Sequence, residues 1–293
     1  MPELHISELQ DQLTQHTARL EARRGVGMPI AVSRRFFEIG GLDLGGLLAL
    51  ELFTTVVPIM LIGWSYATDF SSKLSFGDSL IRQLDLSGER AELVRSAFTS
   101  GDELRSTWTV FGLASFLLWG IPMSAVVARL FATAWQRPRF AFWSGVWRGS
   151  FWFALFLGSQ VATVSINAGP VHGPLDAIRK VLAFAPSFVF WAVTPAILVR
   201  DGGAGRRYLL WCGLAGTIID TLLLRIATRI ALPLLLGGWV PFGPIGVAMA
   251  LMTWCTVVAA CWVVTACVTA VVWERCAPTA VVIGAQRRAT SAQ

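Results

Sequence analysis

Charge is scarce in this sequence. Only 14% of its 293 residues are Asp, Glu, Lys or Arg, against about 25% in an ordinary soluble domain. With 55% hydrophobic residues and a mean hydropathy of +0.61, that deficit argues against a soluble chain. It predicts an all-α, polytopic membrane protein. Lysine is nearly missing: only Lys73 and Lys180 occur, so the net charge of +6 is carried by arginine. In a soluble protein such a balance suggests nucleic acid. Here no basic stripe with interleaved aromatics lies outside the apolar runs, and no nucleic-acid partner is expected. Histidine is limited to His5, His16 and His172, which form no ligand cluster with carboxylates, so no metal site is expected. The five cysteines contain no C-x-x-C pair and read as small apolar residues rather than a disulfide framework. There is no P-loop, G-x-S-x-G, H-E-x-x-H or dinucleotide-binding turn. The reading is therefore no enzyme, no catalytic residues and no cofactor. Nothing resembles a cleavable signal peptide in the polar first 39 residues, so the first apolar run is expected to direct insertion. No long polar linker divides the chain, which predicts one helical domain.

What is present is a series of long apolar runs. Six are read as spans: residues 42–67, 107–134, 149–168, 178–199, 208–236 and 245–273. A helix needs about 20 apolar residues to cross a bilayer. The last two runs form a hairpin about the uncharged connector Gly237-Gly238-Trp239-Val240-Pro241-Phe242-Gly243-Pro244, whose Gly and Pro interrupt both helices. Prolines 58, 122, 186 and 195 fall inside runs, and Gly41 and Gly45 make a G-x-x-x-G spacing in the first. Residues 1–39 form a polar N-terminal segment, in which Ile6, Leu9, Leu13 and Leu20 recur at helical spacing. The transmembrane domain covers 40–275, and 276–293 is a short tail. The loop over 68–106 holds seven acids and five bases, with short amphipathic helices expected around Leu80 and Leu93. The connections after the second and fourth runs, and the tail, are rich in arginine. Those after the first, third and fifth are acidic or uncharged. Excess Lys and Arg marks cytoplasmic loops, so both termini are expected inside the cell.

Away from the ends of the runs, four ionisable residues interrupt them: Glu51 in the first, and Asp220, Arg225 and Arg229 in the fifth. Such residues are costly in lipid and ordinarily face protein, water or a partner. At about 1.5 Å per residue, Glu51 lies roughly 13 Å from the cytoplasmic side and Asp220 near mid-depth. Arg225 and Arg229 are four apart and share a helix face. Arg129, near the end of the second run, reads as an interfacial anchor. Two functions fit. In one, the four residues line a polar cavity, with the arginines meeting an anionic lipid headgroup or acidic solute. In the other, the charges pair internally in a non-transporting scaffold of the cell envelope.

Two stretches carry a family resemblance. Leu48-Ala49-Leu50-Glu51-Leu52-Phe53-Thr54-Thr55-Val56-Val57-Pro58 resembles the "LAYxxLxSLxPL" first helix of the YihY / virulence factor BrkB family of bacterial inner-membrane proteins. Phe242-Gly243-Pro244-Ile245-Gly246, continuing to Trp254, resembles that family's "YGxLGxxxxLLLW" entry to the last helix. The layout of six spans with a long first outer loop is similar over nearly the whole chain. The chain departs from the family in carrying Glu51 where an aromatic or small residue is usual, and Thr265-Ala266-Cys267 near the place of a "GAE" motif. The resemblance implies a multi-pass protein of the bacterial plasma membrane, in a family linked to envelope integrity, serum resistance and lipid transport. The ribonuclease label that also travels with the family has no support in the three histidines.

Overall fold

A computed structural model of the chain describes residues 27–70, 88, 92, 105–167, 179, 181–226, 230, 238 and 242–291. Among these the regular structure is wholly helical, in eight α-helices with no strand. They are α1 (Gly27–Glu38), α2 (Gly41–Phe70), α3 (Arg105–Ala134), α4 (Phe142–Asn167), α5 (Ala185–Leu198), α6 (Arg206–Ile226), α7 (Gly243–Cys276) and α8 (Thr279–Thr290). The stripe from Ile6 to Leu20 and the short helices expected around Leu80 and Leu93 lie outside the described residues.

Helices α2 to α7 fall on the six apolar runs. One of them, α7 over Ala248–Cys276, with a mean hydropathy of 2.3, is by length and composition able to cross a membrane. The boundaries differ from expectation at two helices. The α4 helix begins at Phe142 rather than near Gly149, taking in Trp143 and Trp147. The α5 helix begins at Ala185, not Ile178, and has 14 residues. Pro186 sits in its first turn, where the missing N–H costs nothing and the fixed φ suits a helix start. At 1.5 Å per residue α5 is about 21 Å long, short of the ~30 Å hydrocarbon core.

Each of α2 to α6 packs against the next helix in sequence, and α7 packs back on α2, closing a ring. The α1 helix lies against α7 and α2. Tight turns bring α4 back against α3 and α6 back against α5. The α3 helix ends in a Schellman motif: Arg137 N–H bonds the Ala132 carbonyl at 2.8 Å and Gln136 N–H bonds that of Thr133 at 3.1 Å. Gln136 takes the left-handed position at φ 50°, normally held by glycine, and Pro138 follows. The α7 helix stops at Cys276 because Pro278 holds the preceding Ala277 extended, at ψ 141°. Between α5 and α6 the backbones come close, since a Cβ on Gly213 would lie 2.7 Å from Ala192 Cβ and one on Gly216 2.9 Å from Trp191 Cβ. The expected G-x-x-x-G pair plays a different part. Gly41 makes room for Phe36 in the α1–α2 turn, whereas a Cβ on Gly45 would meet Val263 at an ordinary 3.8 Å.

One end of the ring gathers the starts of α2, α4 and α6, the ends of α3, α5 and α7, and α1. The chain's arginines hold it together. Arg148 donates to the Ile197 carbonyl at 3.2 Å, satisfying the C-terminus of α5. Arg275 donates to Gly27 at 2.8 Å. Arg35, only 7% exposed, donates through Nη1 to the Ala134 carbonyl at 2.6 Å and through Nη2 to both oxygens of Glu274 at 2.9 Å. Trp273 stacks beside Trp135 with ring centroids 5.1 Å apart, donates to the Ala204 carbonyl at 3.3 Å and carries Arg137 over its face at 5.7 Å. Burial pulls the Arg137 guanidinium down, while the Asp201 and Glu274 carboxylates push it back up. It remains charged, as arginine does in proteins.

Two outcomes test this account of the Arg-rich end. Glu274→Gln leaves the Arg35 charge only the longer contact with Glu38, at 3.8 Å, and should cost about 2–3 kcal/mol, below the usual cost of breaking a buried pair because Glu274 is partly exposed. In a cycle with Arg35→Met and Glu274→Met, the singles should sum to about 1–3 kcal/mol more than the double; additivity in thermal unfolding would refute the coupling. Gln136→Gly should stabilise by about 0.5–1 kcal/mol by removing left-handed strain, seen as a raised Tm in detergent.

Candidate functional site

Inside the ring is a cavity of ≈ 260 Å³ lined by all six helices. The α2 helix supplies Leu52 and Thr55, and α3 supplies Met123. From α4 come Phe156, Ser159, Gln160 and Thr163, and from α5 Ser187, Phe190 and Trp191. Asp220 is the contribution of α6, and Trp254, Cys255, Val258 and Trp262 that of α7. Thr55, Phe156, Asp220 and Trp262 each lie about four turns, roughly 21 Å, from the Arg-rich ends of their helices. The antiparallel ring thus brings residues from distant parts of the chain to one level.

Interlocked aromatics form one wall. Phe156 meets Trp262 edge-on at 5.3 Å, Phe190 meets Trp191 at 5.1 Å, and Trp191 meets Trp262 at 6.3 Å. Behind them the fully buried Trp152 donates its indole N–H to Thr194 at 3.1 Å, and Thr194 donates to the Phe190 carbonyl at 2.7 Å. Buried polar groups paired in this way hold their rings in one orientation.

Three of the four described hydroxyls lining the cavity, all but Ser187, share a feature. Ser159 donates to the Phe156 carbonyl at 2.7 Å, Thr163 to Ser159 at 2.8 Å and Thr55 to Glu51 at 2.6 Å. Each gives its proton to its own helix backbone, as Ser and Thr within helices commonly do. Among the described residues Asp220 is the sole carboxylate lining the cavity, and no base lines it. The Trp191 side chain lines it together with Asp220.

Of the residues singled out by sequence, Asp220 lines the cavity. Glu51 stands one helical turn from Thr55, toward the Arg-rich end, and its buried Oε2 has no hydrogen-bond partner. The side chain of Arg225 and the whole of Arg229 lie outside the described residues. By helix register, position 225 is about 140° around α6 from position 220. Arg129 is exposed near the Arg-rich end. Sequence reasoning did not single out Trp191, Trp262 or Ser159. The polar run Ser159, Gln160 and Thr163 in an otherwise apolar helix was the signal available. It also missed the joining of Arg35 to Glu274, residues at opposite ends of the described chain.

A wider concavity of ≈ 660 Å³ opens at the Arg-rich end, with Glu38, Gln136, Arg137, Arg139 and Gln286 among its lining. Arg137 Nη1 is buried there without a hydrogen-bond partner. Two cysteines away from the cavity are plain packing groups: Cys212 and Cys267 are fully buried, and Cys212 donates weakly to the Thr269 carbonyl at 3.4 Å. Among the described residues no group of His, Cys, Asp and Glu is placed to hold a metal ion. The chain matches no family model, no curated protein and no solved structure.

Proposed function

We propose that this is a multi-pass protein of the bacterial plasma membrane that binds a small polar solute or a lipid headgroup in the central cavity and moves it across or along the bilayer. It performs no catalysis in this reading. The carrying observation is the cavity, to which all six helices contribute at one level.

The outer surface supports the membrane setting. On α6, Leu210, Leu214, Ile218 and Leu222 are exposed, four residues apart, while Gly213, Gly216 and Thr217 are buried. A surface helix of a soluble protein has the opposite arrangement. Exposed apolar faces of this extent mark contact with lipid or partners. Trp143 and Trp147 are 80% and 78% exposed near the Arg-rich end of α4, the level at which tryptophan favours the interface between headgroups and tails. The gathering of arginine at one end makes that end cytoplasmic. Six helices then cross, with both termini inside. The shorter α5 is accommodated by tilt or by local thinning of the bilayer.

The test is water access. In a background with all five cysteines replaced, Ser187→Cys should react with a small hydrophilic thiol reagent and be protected by the solute that fills the cavity. Failure to react from either face would leave a dry core and favour the scaffold reading. Orientation has its own control. Ser87→Cys should be labelled from outside intact cells and Arg139→Cys should not; labelling of the latter by an impermeant reagent would reverse the topology.

A further inference from the structure

The geometry points to an organic cation of the ammonium class as the ligand of the central cavity. This rests on the cavity being a ligand site, and goes beyond it by assigning the sign and chemistry of what binds there. The expectation of an anion came from Arg225 and Arg229. Those two side chains lie outside the described residues; among the described ones, the charged side chain lining the cavity is the carboxylate of Asp220, and no cation lines it. A carboxylate in a low-dielectric interior is costly unless opposed by positive charge. A carboxylate offers about four acceptor positions to a donor in the cavity.

Three of the hydroxyls lining the cavity have the same sense. The Ser159 hydroxyl donates its proton to the Phe156 carbonyl, so its oxygen offers acceptor lone pairs to whatever lies in the cavity. Thr163 and Thr55 spend their protons the same way. An anion requires converging donors, whereas an ammonium group supplies donors and requires acceptors. The walls add a third preference. Trp191, Trp254 and Trp262 surround the space, and indole faces attract ammonium ions more strongly than other aromatic side chains do. A carboxylate, hydroxyl acceptors and three indoles around ≈ 260 Å³ suit a small amine with an apolar substituent. A phosphate or carboxylate headgroup finds in this lining no positive charge to pair with.

Three probes of nearly one size separate charge from shape: benzylammonium, benzyl alcohol and benzoate, titrated onto the purified full chain in lipid nanodiscs. Benzylammonium should bind in preference to the other two. Asp220→Asn should weaken it about 10- to 100-fold, the range for a hydrogen bond to a charged group, while leaving benzyl alcohol binding unchanged. Trp254→Leu should weaken it about 3- to 30-fold, and serves as the second variant if Asp220→Asn lowers thermal stability. Binding of benzyl alcohol equal to that of benzylammonium and unaffected by Asp220→Asn overturns the cation assignment but leaves the cavity a ligand site. Preferential binding of benzoate does the same and restores the anion. If none binds and Ser187→Cys also fails to react with a water-soluble thiol reagent, both the cation assignment and the proposed function fail.

Discussion

The structure depends on keeping α7 covered. This helix is apolar on nearly every side, and a helix of that kind is stable only when wrapped by other protein or by lipid. Two-thirds of its most apolar window is buried inside the protein, with Ala259, Val263, Ala266 and Cys267 fully enclosed. These are small or β-branched side chains, which let α2 and α6 approach closely from either side. Because α7 touches both the first and the penultimate helix of the ring, its burial and the closure of the ring are one event. Glu274 then sits where α7 emerges and captures Arg35, which also reaches the end of α3. Packing sets the approach of the helices, and the ion pair fixes their height against one another. Height matters because the cavity draws on residues about four turns along α2, α4, α6 and α7; a slip of one turn moves a lining residue by about 5.4 Å.

The same constraint explains the reversed pattern of α6. Toward the ring it presents Gly213, Gly216, Thr217 and Asp220, and outward it presents Leu210, Leu214, Ile218 and Leu222. In water this helix would hide its leucines. When the outer medium is as apolar as a leucine side chain, hiding them gains nothing, and small residues that permit close contact are worth more at the interface. Asp220 belongs on the inner face for a related reason, since the ring offers it a cavity with other polar side chains and lipid offers it none.

Much of the helical layout was legible in the sequence, because long apolar runs and Gly/Pro punctuation depend only on local composition. The start of α5 was less so. Val181-Leu182-Ala183-Phe184 is an apolar run leading into the helix, but Pro186 fixes the helix start through backbone chemistry that a hydropathy window does not register. The helix at Phe142 was placed too late because Trp143, Arg148 and Ser144 dilute the apolar count, although each suits an interfacial first turn. The knot at the Arg-rich end was hidden for a different reason. Nothing near Arg35 in sequence distinguishes it from Arg34, yet Arg34 is exposed beside Glu38 while Arg35 is buried against Glu274, 239 residues away. Only the folded ring decides between them. At the cavity, Asp220 was legible as a costly charge in an apolar run. The acceptor character of its surroundings was not, since that depends on where three hydroxyl protons point.

The two carboxylates of the apolar helices show how placement, rather than composition, assigns a role. Glu51 and Asp220 look alike in sequence: each is an acid deep in an apolar run. Asp220 lines the common cavity. Glu51 lies one turn from the cavity residue Thr55, with Oε2 buried and unpaired, and an unsatisfied buried polar group costs about 1–3 kcal/mol. Leucine or methionine would pack the same position at lower cost, so the acid is not there for packing. The backbone carbonyl of Glu51 takes the Thr55 proton at 2.6 Å, and in doing so fixes the hydroxyl as an acceptor toward the cavity. That effect belongs to the backbone and would survive Glu51→Gln. The two variants are therefore expected to differ: Asp220→Asn removes charge from the binding space itself, whereas Glu51→Gln removes it one turn away and leaves the lining intact.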